Sequence, residues 1–250
     1  MRIVLFYTLL VGLTYSPASW AKKGLLSFSV SGYYDRSRLT RASDTNPSFT
    51  LESMNGYTTL GNLDINLAPK FSFFLGGGTS GFDYTSSTSR TITDHQSNFT
   101  NASAGMKLFF GDICLSFFGL YKPIIVFEDI TSALDNLIIV NNTYGVLGLT
   151  FGAVSRYYDL AIGVAGGAVV GSPSYQNNTI DSKYYLQGSV SVQFGRKNKT
   201  VFESVVGSGT ISGDEILYGL DIRLREDSYE YNLDKYRVTD FGGGIFIILQ

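Results

Sequence analysis

Residues 216–226 read Ile-Leu-Tyr-Gly-Leu-Asp-Ile-Arg-Leu-Arg-Glu. Ile216, Tyr218, Leu220, Ile222 and Leu224 share one parity, while Asp221, Arg223 and Arg225 share the other. A period of two is the signature of a strand with two unlike faces. One face here is continuously apolar and the other carries three charges in a row. The same rhythm recurs along the chain. Leu63, Ile65 and Leu67 alternate with Asn62, Asp64 and Asn66. Thr100, Ala102, Ala104, Met106 and Leu108 alternate with Asn101, Ser103, Gly105 and Lys107. Tyr184, Leu186, Val190, Val192 and Phe194 alternate with Lys183, Tyr185, Gln187, Ser189, Ser191 and Gln193.

A soluble sandwich also alternates, so three further features decide between them. The strands run about 11 to 15 residues, against about 5 to 6 in soluble sheets. Tight turns at Ala68-Pro69-Lys70, Gly111-Asp112 and Ser155-Arg156 alternate with longer polar stretches at 36–48, 85–97, 129–136 and 171–181. Aromatics gather near strand ends, as at Tyr33 and Tyr34, Phe71 and Phe73, Phe109 and Phe110, and Tyr157 and Tyr158. Transmembrane barrels combine all three, because lipid cannot satisfy an open sheet edge and the sheet must close.

The first 21 residues read as a secretory signal, expected to be cleaved after Ala21. Arg2 is the positive start, Ile3 to Tyr15 the apolar segment, and Ser19-Trp20-Ala21 supplies small residues at the cleavage positions. Beyond residue 21 no stretch reaches the length of a membrane-spanning helix. The longest candidate, 113–127, is interrupted by Lys122-Pro123.

Composition narrows the functional classes. With 44% hydrophobic and 16% charged residues, the chain is too apolar for disorder. A net charge of −2 leaves no basic surplus for nucleic acid. One Cys excludes an internal disulfide, and one His excludes a site built on several imidazoles. No cofactor or metal site is expected. Residues 22–250 read as a single domain, with neither a linker nor a repeat beyond the hairpin rhythm.

On this pattern the sequence resembles the small outer-membrane β-barrel proteins of Gram-negative bacteria. The resemblance implies an all-β, antiparallel up-and-down barrel, localised in the outer membrane after export. It also implies partners: outer-membrane lipid and lipopolysaccharide, and the barrel-assembly machinery during biogenesis. One departure is the chain end. Such barrels finish on an aromatic residue, whereas this chain finishes Ile247-Ile248-Leu249-Gln250.

Strands are expected at 24–35, 50–67, 71–84, 98–110, 113–127, 138–154, 157–170, 182–195, 214–226 and 237–249. That makes ten, the even number needed to return both ends to the periplasm; twelve and eight are the alternatives. Residues 196–213, poor in alternation and rich in Gly and Ser, are expected to be a periplasmic connection.

Nine charges fall on the expected lumen face: Asp64, Lys107, Lys122, Asp159, Lys183, Asp221, Arg223, Arg225 and Asp240. An Arg or Lys on the lipid face would cost about 2–4 kcal/mol near the midplane, so an inward phase fits. So narrow an interior favours a plug of paired charges over an open charged pore. Inward glycines at 76, 78, 105, 148, 163, 242 and 244 leave room either for a narrow channel or for crowded neighbours. Cys114 is expected inward near the periplasmic end, as a small filling residue. Gly76-Gly77-Gly78 and Gly242-Gly243-Gly244 lie within strands and do not form phosphate loops.

No catalytic constellation is expected. His95 lies in an external loop beside Asp94, and adjacent residues on extended chain point apart, so a solvated loop histidine is the simpler reading. Three functions therefore stand. The first is a non-enzymatic barrel serving as a narrow pore, a surface-interaction protein or an envelope structure. The second is an outer-membrane hydrolase or lipid-modifying enzyme using His95. The third is a soluble exported barrel.

Overall fold

The computed structural model describes residues 26–44, 48–68, 70–86, 91–93, 96–110, 112–131, 134–154, 159–171, 173–195 and 216–249. The signal segment, His95 and the 196–213 connection lie outside them. Ten strands make the wall: β1 (Leu26–Ala42), β2 (Phe49–Ala68), β3 (Phe71–Asp83), β4 (Gln96–Phe110) and β5 (Ile113–Tyr121). They continue as β6 (Thr143–Val154), β7 (Asp159–Val169), β8 (Asp181–Gly195), β9 (Ile216–Tyr231) and β10 (Asp234–Leu249). Each pairs antiparallel with its sequence neighbour, and β1 pairs with both β2 and β10, which closes the sheet. Closure removes every edge, the condition lipid imposes.

Phe28 pairs with Leu249, so both ends of the wall lie at one rim. The opposite rim carries the longer connections and one tight turn, Asn232-Leu233. Both turn residues are left-handed, with φ of 50° and 69°, as the hairpin turn that matches strand twist requires.

The two faces of each strand differ as the alternation demands. On β1 the outward residues are Leu26, Phe28, Val30 and Tyr34, followed by Arg36 and Arg38. On β10 they are Leu249, Ile247, Ile245 and Phe241, followed by Arg237 and Lys235. An apolar belt thus gives way to exposed charge at one level on neighbouring strands. β1 has 17 residues and β2 has 20, against the roughly 9–11 that cross a bilayer. The wall therefore extends beyond the membrane on the rim away from the chain ends. A soluble barrel would bury such a belt; here it faces outward, and the protein is a transmembrane barrel.

The expected strand at 113–127 is corrected. The wall strand β5 stops at Tyr121, and Lys122-Pro123 redirects the chain. Pro lacks the amide that a wall strand would need, which is why the ladder ends there. Ile124–Thr131 and Leu134–Val140 then pair as an antiparallel hairpin outside the wall ladder. The second arm adds Thr91–Thr93 in parallel. Ile124, Ile125, Val126 and Phe127 are all at most 3% exposed. Successive strand residues point to opposite sides, so burial of all four means that both faces of this arm are covered. They pack with Leu39 of β1, Leu51 of β2, Phe99 of β4 and Val238 of β10. Phe127 meets Phe49 edge-on, with ring centroids 5.1 Å apart, and stacks on Tyr236 at 6.5 Å. The hairpin arm lies within the ring of strands, at the mouth on the rim away from the chain ends.

Candidate functional site

Beneath the hairpin the lumen is crossed by charges from β1, β9 and β10. Asp35 is fully buried and takes two hydrogen bonds from Arg223, at 2.6 Å from Nη2 and 3.3 Å from Nε. Thr58 donates a third to the same carboxylate. The Arg223 guanidinium lies 3.5 Å from the centroid of the Tyr33 ring. A Cβ at Gly242 would fall 1.9 Å from Asp35 Oδ1, so the absence of a side chain there is what lets the carboxylate lie against the wall.

One step toward the mouth, Arg225 Nη2 is 3.5 Å from Asp240 Oδ2 and 3.9 Å from Asp35 Oδ2. Ser37 donates to Asp240 Oδ1 at 2.6 Å and shares a 2.8 Å hydrogen bond with Tyr84. Lys122, at the root of the hairpin, pairs with Asp227 and stands 3.7 Å from Asp240. A second tie holds the hairpin: the Tyr229 hydroxyl donates to the Ile125 carbonyl. The Asp35, Asp227 and Asp240 charges thus balance Lys122, Arg223 and Arg225. Buried charges survive only when paired in this way.

Two outlying pairs complete the set. Lys107 meets Asp64 at 2.5 Å toward the rim that holds both ends of the wall, with its Nζ 4.7 Å from the Phe74 ring centroid. Arg41 meets Asp234 at 2.6 Å near the mouth. Between the central network and the wall lies a cavity of about 60 Å³, and a smaller one of about 20 Å³ sits under the hairpin.

Of the nine charges expected in the lumen, Asp64, Lys107, Asp221, Arg223, Arg225 and Asp240 are buried inside, and Lys122 is largely so. Asp221 sits one inward position below Arg223. The Tyr33 hydroxyl and the Arg223 guanidinium are the polar neighbours of its buried carboxylate. Asp159 belongs to β7, but its side chain lies outside the described residues. Lys183 is corrected: its side chain is 41% exposed and pairs with Asp181 and with Glu230 at 3.2 Å. The register between β8 and β9 shifts between Ser182 and Tyr184, and this bulge breaks the parity on which an inward Lys183 depends. The hydrogen bonds that its ammonium donates to Asp181 and then to Glu230 push it above the ordinary lysine range.

Asp35, Arg41, Asp227 and Asp234 also belong to the site: Asp35 is the last residue of the expected strand 24–35 but not one of the nine charges, and the other three lie between the expected strands. The missed signal was present, since Tyr33, Asp35, Ser37, Leu39 and Arg41 continue one parity without a break. Tyr33 and Phe109 are buried inside, while Tyr34, Phe73 and Phe110 stand exposed on the outer face; Tyr157 and Tyr158 lie outside the described residues. Cys114 is buried beside Phe109 near the rim that holds both ends of the wall.

An apolar exterior, a charged interior and a closed ten-strand wall define the class: a small transmembrane β-barrel. Solved structures of similar shape include outer-membrane proteins. The outer-membrane protease OmpT of Escherichia coli superposes with a TM-score of 0.49 at 9% identity, covering 90% of this chain and 96% of that one. An outer-membrane channel of Pseudomonas putida F1 gives 0.45 at 8%, covering 91% and 96%. The translocator domain of the autotransporter NalP of Neisseria meningitidis gives 0.40 at 11%, covering 88% and 87%. No known family profile and no curated protein matches the chain.

Proposed function

We propose that the protein is a closed, non-enzymatic outer-membrane barrel that acts at its outer end. The observation that carries this reading is the burial of Ile124–Phe127 on both faces within the mouth, above a network that ties three strands together. A pore needs a continuous wet path, and an apolar arm packed to the wall removes it. The external rim then remains as the working surface. It extends well past the apolar belt and ends in the turn at Leu233, which is 84% exposed in a left-handed conformation that a branched side chain seldom adopts. Arg36, Arg38, Arg237 and Lys235 stand just above the belt, at the level where lipopolysaccharide carries its phosphates, and this lipid is included among the contacts.

Planar-bilayer recording of the purified barrel tests the reading. Intact membranes with no stepwise conductance are the expected result; a steady open conductance would refute it. A narrow pore opened by withdrawal of the hairpin is the second reading, favoured by the polarity of the lumen below. Under it, deleting residues 124–140 would convert a silent barrel into a conducting one.

A further inference from the structure

We infer that the mid-lumen cavity is a binding site for a small inorganic monovalent anion of the halide class. The cavity measures about 60 Å³, more than the roughly 10–15 Å³ needed to admit one water-sized guest. Every charged residue on its wall is cationic: Lys122, Arg223 and Arg225. Their partners Asp35, Asp227 and Asp240 are absent from that wall. The network is balanced overall, yet it turns its positive side to the space.

A second observation points to a guest independently. Arg225 is 6% exposed, and its Nε is buried without a hydrogen-bond partner among the described residues. Its two carboxylate contacts, at 3.5 and 3.9 Å, both go through Nη2 and are long. A guanidinium held only by such long contacts keeps donor capacity for an acceptor in the cavity that Arg225 lines.

Of the uncharged polar residues on the wall, Asn62, Asn101, Ser103, Tyr185 and Gln187, the last adds a donor. Gln187 accepts from the Tyr185 hydroxyl through its carbonyl oxygen, which leaves its amide NH₂ as the donor end. Leu60, Phe118 and Leu120 supply an apolar remainder, which strengthens charge attraction by excluding water. The volume admits a single small inorganic ion, the guest that the cationic wall suits. The inference is independent of whether the barrel conducts, for a resident ion suits a closed lumen and a gated one alike.

Bromide is the probe. Crystals of the full barrel soaked in sodium bromide should show one anomalous peak in the cavity within contact of Arg225. Density there without anomalous signal would mean water alone and overturn the inference. In solution, replacing gluconate by bromide at constant ionic strength should raise the thermal midpoint by about 2–4 °C, the scale of modest ligand stabilisation in a chain this long. The rise should vanish in Arg225→Met. An equal rise in both proteins would be a general salt effect and would also overturn the inference. Should Arg225→Met fail to fold, the bromide peak in the unaltered protein decides alone.

Discussion

Asp35→Asn isolates the energetic centre of the lumen. The substitution keeps the volume and one acceptor oxygen, so Thr58 and one Arg223 nitrogen retain a partner. What it removes is the charge opposite a guanidinium that is 2% exposed. Breaking a buried pair from one side costs about 3–5 kcal/mol, since the surviving ion stays desolvated. The hydrogen bond that Asn preserves lowers the expected loss to about 3 kcal/mol. Arg223→Met should cost a similar amount for the mirror reason. The double variant presents two neutral groups in the same space and should recover most of the loss, giving a coupling of at least about 2 kcal/mol. The assay is urea unfolding from lipid vesicles, followed by far-ultraviolet circular dichroism and gel mobility. Tryptophan emission will not serve, because the one Trp is Trp20, in the expected leader. An unchanged midpoint in Asp35→Asn, or simple additivity in the double variant, would refute the claim that this pair is a coupled, buried unit.

Three other substitutions probe the surrounding structure. Gly242→Ala places a methyl against Asp35 and should destabilise by about 1–3 kcal/mol, whereas Gly32→Ala, with open space around it, should leave the same unfolding midpoint unchanged. Ile222→Arg puts a cation on the outward face of β9 within the apolar belt and should cost about 2–4 kcal/mol in vesicles, while a cost near zero would count against the membrane placement. Tyr229→Phe leaves the buried Ile125 carbonyl without its donor, a local loss of about 1–3 kcal/mol; hydrogen exchange should quicken in residues 124–127 ahead of the wall strands.

The wall was legible in the sequence because lipid and lumen impose opposite chemistry on alternate residues, and Leu220-Asp221-Ile222-Arg223 displays that contrast directly. Strand number followed from it. Less legible were the places where a second rule overrides parity. The bulge at Lys183 costs one residue of phase and sends a charge outward, with nothing in Asp181-Ser182-Lys183-Tyr184 to announce it. β1 and β9 run on past Arg36 and Glu226, where polar and charged residues look like loop when the wall is assumed to stop at the membrane. Apolar runs are ambiguous in a different way. Ile124 to Phe127 suits a lipid-facing strand as well as a segment inside the mouth, and only packing against Leu39, Phe49 and Tyr236 distinguishes the two. The ion pairs were out of reach for a general reason, since partners such as Asp35 and Arg223 lie 188 residues apart.

The placement of that arm is the central claim, and thiol accessibility measures it directly. With Cys114 replaced by Ser, a thiol introduced by Val126→Cys should resist a charged, membrane-impermeant reagent on intact cells. One introduced by Leu233→Cys, at the exposed turn, should react at once. Val126→Cys should become reactive only after unfolding. Labelling of Val126→Cys on intact cells as fast as Leu233→Cys would show that the mouth is open, and would contradict the closed barrel.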